Sequence, residues 1–198
     1  MKHVFTLTFI LLLGACATEE KKELSDFGIE ATNLFLYYND LDRAGEFYSG
    51  TLGMELVADY EMALILRMTM DSYLILVDAS KGMHSADEPK TVALALLTNE
   101  LDEWYDYLSS KDVEIKYDYN PKEGSPHDGF VIYDPEGYLL EFERFNPHPE
   151  NENFIPLLDK NIKSEIESPG ADSLPDGLRI HSTITWLYYD DILAMQYF

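Results

Sequence analysis

The sequence predicts an α+β fold made of two βαβββ units in tandem. The first observation is the order of elements, because each half of the folded region reads as a strand, a helix and three further strands. The second is a pair of similar strand-to-helix corners, Asn39-Asp40-Leu41-Asp42 and Asn99-Glu100-Leu101-Asp102. The third is the composition, since 46% hydrophobic and 13% aromatic residues suffice for an ordinary globular core. Such an internal repeat indicates two equivalent halves.

The first unit opens with a strand in "TNLFLYYND" (32–40), where aromatic and branched residues run into an Asn-Asp pair typical of a helix N-cap. A helix is predicted in "LDRAGEFYSGTLG" (41–53), because apolar residues recur at helical spacing and glycines lie near its end. Three short strands follow, predicted over residues 54–61, 62–70 and 72–80.

The second unit begins after a loop at residues 81–90. "TVALALLTN" (91–99) predicts a strand, and "ELDEWYDYLSSKD" (100–112) predicts an amphipathic helix. Strand patterns then return at residues 113–119, 129–135 and 138–145.

The composition changes after Phe145. Residues 147–180 combine prolines with many charges, which predicts a linker with one short helix at 156–167. Residues 183–198, "TITWLYYDDILAMQYF", then align without gaps on residues 32–47, "TNLFLYYNDLDRAGEF". We therefore interpret residues 181–198 as the truncated start of a second similar domain, which would make the sequence a fragment of a longer protein.

The N-terminus has the features of a secretory signal. Lys2 precedes an apolar run from Val4 to Leu13, which is too short to cross a bilayer. Residues 13–16, Leu-Gly-Ala-Cys, resemble the lipobox of bacterial lipoproteins, which implies lipid attachment at Cys16. This predicts a signal over 1–16, a charged tether over 17–30 and a lipid-anchored protein of the bacterial cell envelope. Ala17 favours the outer over the inner membrane; the alternative is an ordinary cleavage site with an incidental cysteine.

The charge and cysteine content limit the partners. Asp and Glu total 37 against 14 Lys and Arg, a formal charge of −23, so nucleic acid is excluded and a cationic ligand is admissible. An acidic surface that only maintains solubility explains the charge equally. Cys16 is the single cysteine, so the chain can form neither an internal disulfide nor a thiolate metal site.

Two segments carry a family resemblance. "DLDRAGEFYSGTLGMEL" (40–56) and "DPEGYLLEFE" (134–143), in this order of elements, resemble the vicinal oxygen chelate superfamily, which includes glyoxalase I, extradiol dioxygenases and bleomycin-resistance proteins. The likeness covers residues 31–146. It implies that the two units form an open, eight-stranded, barrel-like cup, which in the enzymes of the family holds a divalent metal.

The family's metal positions fall on residues that are mostly poor ligands. The resemblance places them at Asn33, near Leu76, near Thr91 and at Glu141, of which only Glu141 is a usual metal ligand. The histidines lie elsewhere: His3 in the signal, His84 and His127 in predicted loops, His148 and His181 outside the domain. We therefore expect no cofactor, although a loop histidine could still build a non-standard divalent metal site.

Strand alternation predicts what lines the cup. Asn33, Phe35 and Tyr37 should face inward together with Leu76 and Thr91, and Glu141 and, by alternation, Glu143 should supply charge. Aromatic walls beside a carboxylate suit a small apolar or cationic molecule, as in the bleomycin-resistance members. The alternative is that Phe35 and Tyr37 are ordinary core and that Glu141 is hydrogen-bonded to Asn33.

Three functions are compatible with these predictions. The first is a lipid-anchored, metal-free binder of a small molecule. The second is a metal-dependent lyase or dioxygenase of the glyoxalase type with non-standard ligands. The third is a non-catalytic interaction module. The expected partners are a small molecule, the membrane through the N-terminal lipid, and either a second copy of the chain or the missing second domain.

Overall fold

The computed structural model describes residues 24–162, 174–175 and 177–190. The predicted signal, Cys16 and most of the tether lie outside these residues, as does the end of the predicted second domain. Residues 1–30 form a separate unit, of which the 3-10 helix Leu24–Phe27 is described. Residues 31–198 form the second unit, which contains both predicted repeats. No helix in the described part is long and apolar enough to cross a membrane.

The first repeat forms a four-stranded sheet. Its strands are β1 (Thr32–Tyr38), β2 (Glu55–Asp59), β3 (Ala63–Arg67) and β4 (Ser72–Asp78), in the order β1-β4-β3-β2. Strands β1 and β4 are parallel, and β3 is antiparallel to β4 and β2. Helix α1 (Leu41–Gly45) continues as a π-helix over Glu46–Thr51. The Asp40 carboxylate caps α1, accepting a hydrogen bond from the Arg43 N–H at 3.0 Å.

The second repeat forms the same topology with an added strand. Its elements are β5 (Val92–Leu97), α2 (Leu101–Ser110), β6 (Ile115–Tyr117), β7 (His127–Tyr133) and β8 (Leu139–Phe145). The sheet order is β6-β7-β8-β5-β9, in which β9 (Ser182–Leu187) pairs antiparallel with β5. The α+β class with two βαβββ units is therefore confirmed. Among the described residues the sheets have four and five strands and form no closed barrel.

One hydrophobic core lies on the helix side of both sheets. Alternate residues of every central strand enter it, including Leu36, Leu76, Leu94 and Phe142, each no more than 2% exposed. Trp104 of α2 is fully buried there, 4.9 Å from the Phe142 ring. The cluster contains residues of both βαβββ repeats, so the two repeats share one hydrophobic core. We call the opposite side of each sheet its cup face.

The junction between the repeats is polar, with a buried part around Asp134 and an exposed part around Glu136. The hydroxyls of Tyr38 and Tyr48 donate to Asp134 Oδ2 at 2.5 and 3.1 Å. The Glu136 carboxylate accepts hydrogen bonds from the backbone N–H groups of Asn39 and Asp40 at 3.0 and 2.8 Å. The acidic residues of the "DPEG" motif therefore join the β7–β8 turn to the β1–α1 corner.

The described parts of the region predicted as a linker contain two helices and a segment that packs on this domain. It contains the 3-10 helix Pro149–Asn151 and helix α3 (Ile155–Ile162), close to the predicted helix. Leu178 and Ile180 belong to the hydrophobic core, and the Trp104 indole N–H donates to the Arg179 carbonyl at 3.1 Å. Residues 178–180 thus pack as part of the domain, while the domain boundaries at 147, 180 and 181 stay predictions.

Candidate binding site on the cup face

Strand β1 presents its predicted residues to the cup face. Phe35 is 49% exposed and Asn33 is also exposed, whereas Leu36 and Tyr38 lie in the core under the helices. Tyr37 is only 8% exposed, because the loop after β4 covers it. The His84 ring lies edge-on at 5.1 Å, and a Cβ at Gly82 would come within 2.6 Å of the Tyr37 ring. The predicted alternation along β1 is confirmed.

The prediction that Leu76 lines the cup is wrong. It is the register partner of Leu36 and is fully buried in the hydrophobic core, so it cannot line the cup. The cup-face residues of β4 are its neighbours Ile75 and Val77, which cluster with Tyr37. Side chains alternate along a strand, so a shift of one residue in placing the family position moves the side chain to the other face.

Strand β8 carries two glutamates on the cup face. Glu141 pairs with Ala95 and Val131, and Glu143 pairs with Leu97 and Gly129, whereas Phe142 between them enters the core. Burial raises the pKa of Glu141, and the nearby His127 offsets part of that rise. His127 begins β7 and does not lie in a loop, which corrects the sequence prediction.

Glu143 is the more unusual of the two glutamates. It is 2% exposed, and its Oε2 atom has no hydrogen-bond partner among the residues that the structure describes. Burial, and then repulsion from Glu141, raise the pKa of Glu143 to about 7. An unpaired buried carboxylate is costly, so this group favours either a proton or a positive charge beside it.

A pocket of about 260 Å³ opens beside Glu141. It lies between β6, β7 and the loop that joins them. Its walls include Tyr117, Lys122, His127, Gly129, Val131 and Glu141. Gly129, which has no side chain, lines the pocket and is the register partner of Glu143, whose own side chain is not part of the pocket wall.

Asp128, the other carboxylate in the pocket wall, already has a cationic partner. Asp128 accepts hydrogen bonds from Asn146 Nδ2 at 3.0 Å and from Arg144 Nη2 at 3.4 Å. The latter contact is also an ion pair. Glu141 and Glu143 are therefore the carboxylates of this site that lack a cationic partner among the described ion pairs.

Of the predicted site residues, Glu141 alone is among those that line this pocket. Asn33, Phe35 and Tyr37 lie on the first sheet and Glu141 lies on the second. Thr91 precedes β5 and is exposed, and its carbonyl accepts the Tyr188 N–H at 2.9 Å. The structure thus has a pocket on the second sheet and an exposed aromatic side chain, Phe35, on the first.

The four residues at the family's metal positions do not form a site for a divalent ion. They are an exposed amide, a core leucine, a threonine hydroxyl and one carboxylate, where such a site needs about three strong ligands. Over the described ranges, no group of three or more His, Cys, Asp and Glu side chains is placed to hold a metal.

Alternation from Glu141 predicts that Glu143 lies on the same face, but not that it is buried. Sequence reasoning did not single out His127 as a residue of this pocket. His127 was missed because the start of β7 lies two residues before the predicted strand.

Comparison with known proteins identifies the family. The profile of the Glyoxalase/Bleomycin resistance protein/Dioxygenase superfamily matches residues 29–142. No curated protein matches the chain.

Similar solved structures share the fold at low identity. They include TioX from Micromonospora sp. ML1, at 17% identity and a TM-score of 0.51, covering 59% of this chain and 98% of that one. A glyoxalase/bleomycin resistance protein/dioxygenase from Nocardioides has 23% identity and a TM-score of 0.51, covering 59% and 83%. Lactoylglutathione lyase from Agrobacterium tumefaciens has 19% identity and a TM-score of 0.50, covering 62% and 96%. These likenesses concern the fold, and the profile match over more than half of the sequence places this chain in the glyoxalase/bleomycin resistance protein/dioxygenase superfamily.

Proposed function

We propose that this protein binds a small cationic molecule with an apolar part in the pocket beside Glu141, without a metal. The observation that carries the proposal is the buried Glu143 carboxyl, which has an unpartnered Oε2 atom and shares its face with Glu141. Neither carboxylate is in an ion pair among the described residues, and two neighbouring carboxylates attract a positive charge. The walls formed by Tyr117 and Val131 suit the apolar part of such a ligand.

The binding test uses benzyltrimethylammonium chloride as the probe and isothermal titration calorimetry at pH 8. We expect the double substitution Glu141→Gln and Glu143→Gln to weaken binding at least tenfold, or about 1.4 kcal/mol. Glu123→Gln, in the exposed loop before β7, is the matched control and should bind as the wild type does. Benzyl alcohol, which lacks the charge, should bind more weakly than the cation.

Equal binding of the cation by the wild type and the double variant would contradict the proposal. Failure of the wild type to bind any probe of a cationic and aromatic panel would favour the third function, a non-catalytic interaction module.

One observation favours a metal-dependent alternative. His127 and Glu141 line the same pocket, so two potential ligands lie on one side of it. A metal-dependent lyase or dioxygenase of the glyoxalase type would need further ligands from outside this pair. Elemental analysis of the purified protein separates the two functions, because stoichiometric zinc, nickel, manganese or iron would support the enzyme and contradict metal-free binding.

We also propose that the protein is anchored to the bacterial outer membrane by a lipid on Cys16. The lipobox-like residues 13–16 support this, together with the charged segment that follows them. Metabolic labelling with a radioactive fatty acid should mark the wild-type protein and not the Cys16→Ser variant. Labelling that survives this substitution, or wild-type protein without lipid in the soluble fraction, would contradict the proposal.

A further inference from the structure

The sheets of this domain have differently protected edges. At the β2 edge the strand carries Glu55 and Asp59, and its register shifts between Leu56 and Ala58. At the β6 edge the strand has only three residues, includes Lys116 and is also irregular. Charges, bulges and short length are the usual devices by which an edge strand avoids pairing with another chain. Both edges are therefore protected.

The β9 edge has none of these devices. Strand β9 contains no charged residue and no proline, and its six residues pair with β5 without a register shift. The Tyr188 N–H donates to the Thr91 carbonyl at 2.9 Å, which sets the alternation of the antiparallel ladder. By that alternation, the N–H groups of Thr183, Thr185 and Leu187 point away from β5. Residues 185–190 are all exposed, so this side of the strand is open at that end.

An exposed apolar strip continues this edge. The strip consists of Trp186, Leu187, Tyr188 and Tyr189, which are 43%, 58%, 54% and 50% exposed. The last three align with Leu36, Tyr37 and Tyr38 of β1, which are only 1%, 8% and 0% exposed. The same residue types that form core at the end of β1 are thus left uncovered at the end of β9.

We propose that the chain forms a symmetric dimer in which the β9 edges of two copies pair antiparallel and bury the two strips. A two-fold arrangement uses the same surface on both copies and closes at two subunits. The β1 edge is also uncharged, but the apolar end of β1 is already buried within its own domain. Phe35 is the one exposed large apolar residue of β1, whereas four consecutive exposed apolar residues lie at the end of β9 in the described part of the chain.

The available area is consistent with a specific interface. Four half-exposed side chains offer about 400 Å² in each copy, given that large apolar side chains bury 150–250 Å² each. Because successive side chains of a strand point to opposite faces, the two strips bury at most roughly 800 Å². The paired strand edges raise the total toward the ~1,200 Å² that specific interfaces need.

The net charge predicts how the dimer responds to salt. Each copy carries a formal charge of −23, so two copies repel each other at long range. Strand β9 is uncharged, which lets the copies meet without placing carboxylates opposite one another. Salt screens the remaining repulsion, so raising the ionic strength from about 0.05 to 0.5 M should strengthen dimerisation.

Sedimentation equilibrium of the full chain, in mild detergent if it carries lipid, tests the proposal. We expect the wild type to show a concentration-dependent dimer whose dissociation constant rises at least tenfold in the Thr185→Pro variant. Proline removes an N–H that points away from β5, so the ladder within the subunit is kept. Thr185→Lys, which adds a charge at the same edge, should have the same effect and guards against misfolding of the proline variant.

A matched change on the other uncharged edge is the control. Thr32→Lys, on β1, should leave the dimer intact. Trp186 fluorescence should shift to shorter wavelength on dimerisation, whereas Trp104 is buried in both states. A wild type that stays monomeric at about 100 μM, or a dimer that survives both Thr185 variants, would overturn the proposal. Loss of the dimer in Thr32→Lys would show β9 pairing with β1, which also overturns it.

Discussion

Burial of the Glu143 carboxyl makes the free energy of unfolding depend on pH. The carboxyl pKa is raised from 4.5 to about 7, so between these values the folded protein holds a proton that the unfolded chain has lost. Stability therefore falls as the pH rises through this window. Glu143→Gln should be more stable than the wild type by roughly 3 kcal/mol at pH 8 and by less than about 1 kcal/mol at pH 5. Urea unfolding at the two pH values measures the difference.

The control for Glu143 is an exposed glutamate. Glu123→Gln should change stability by less than about 0.5 kcal/mol at either pH. A Glu143→Gln variant that gains nothing at pH 8 would mean that the carboxylate has a partner, which would also weaken the argument for a cationic ligand.

At the scale of a single element, strand β4 separates core from cup. Leu76→Ala should cost about 2–5 kcal/mol, because it opens a cavity in the hydrophobic core. Asn33→Ala, on the exposed face of the paired strand, should cost less than about 0.5 kcal/mol. Chemical denaturation of both variants checks this. Similar small losses in the two would place Leu76 on the cup face, where the family resemblance had put it.

The segment around β9 is the second element with a measurable role. Removing residues 174–198 takes Leu178 and Ile180 from the core, deprives the Trp104 indole of its acceptor and exposes the β5 edge. We expect the shortened chain to lose at least ~4 kcal/mol in urea unfolding, or to aggregate. In the full chain, Ile180→Ala alone should cost about 2–3 kcal/mol. A shortened chain of unchanged stability would show that the segment belongs to another domain.

At the scale of the whole molecule, the two repeats depend on each other through Asp134. Asp134→Ala leaves the Tyr38 and Tyr48 hydroxyls without their common acceptor and removes the acceptor of the Tyr138 N–H. We expect a loss of roughly 3 kcal/mol, against less than about 0.5 kcal/mol for Asp106→Ala on the exposed side of α2.

The cooperativity of unfolding shows whether the two repeats depend on each other. Hydrogen exchange of β4 in the first repeat and β8 in the second should report one unfolding transition in the wild type, because the core is shared. Two separated transitions in the wild type would contradict a single folding unit.

The sequence by itself determined the fold class, the two βαβββ units and the alternation along β1. These depend on local patterns, namely the two-residue period of strands, the helical spacing of apolar residues and the polar corners that begin helices. Local patterns can be recognised without knowing which distant residues are in contact. For this reason the internal repeat could be predicted from the sequence.

Only the tertiary structure decided which face Leu76 occupies, how deeply Glu143 is buried and where β9 pairs. Leu76 was misplaced because a one-residue shift in register reverses the face of a strand. The pKa of Glu143 depends on desolvation by residues far away in the chain, which no local pattern encodes. Strand β9 resembles β1 in sequence, yet it lies antiparallel on β5, because pairing depends on which open edge the folded domain offers it.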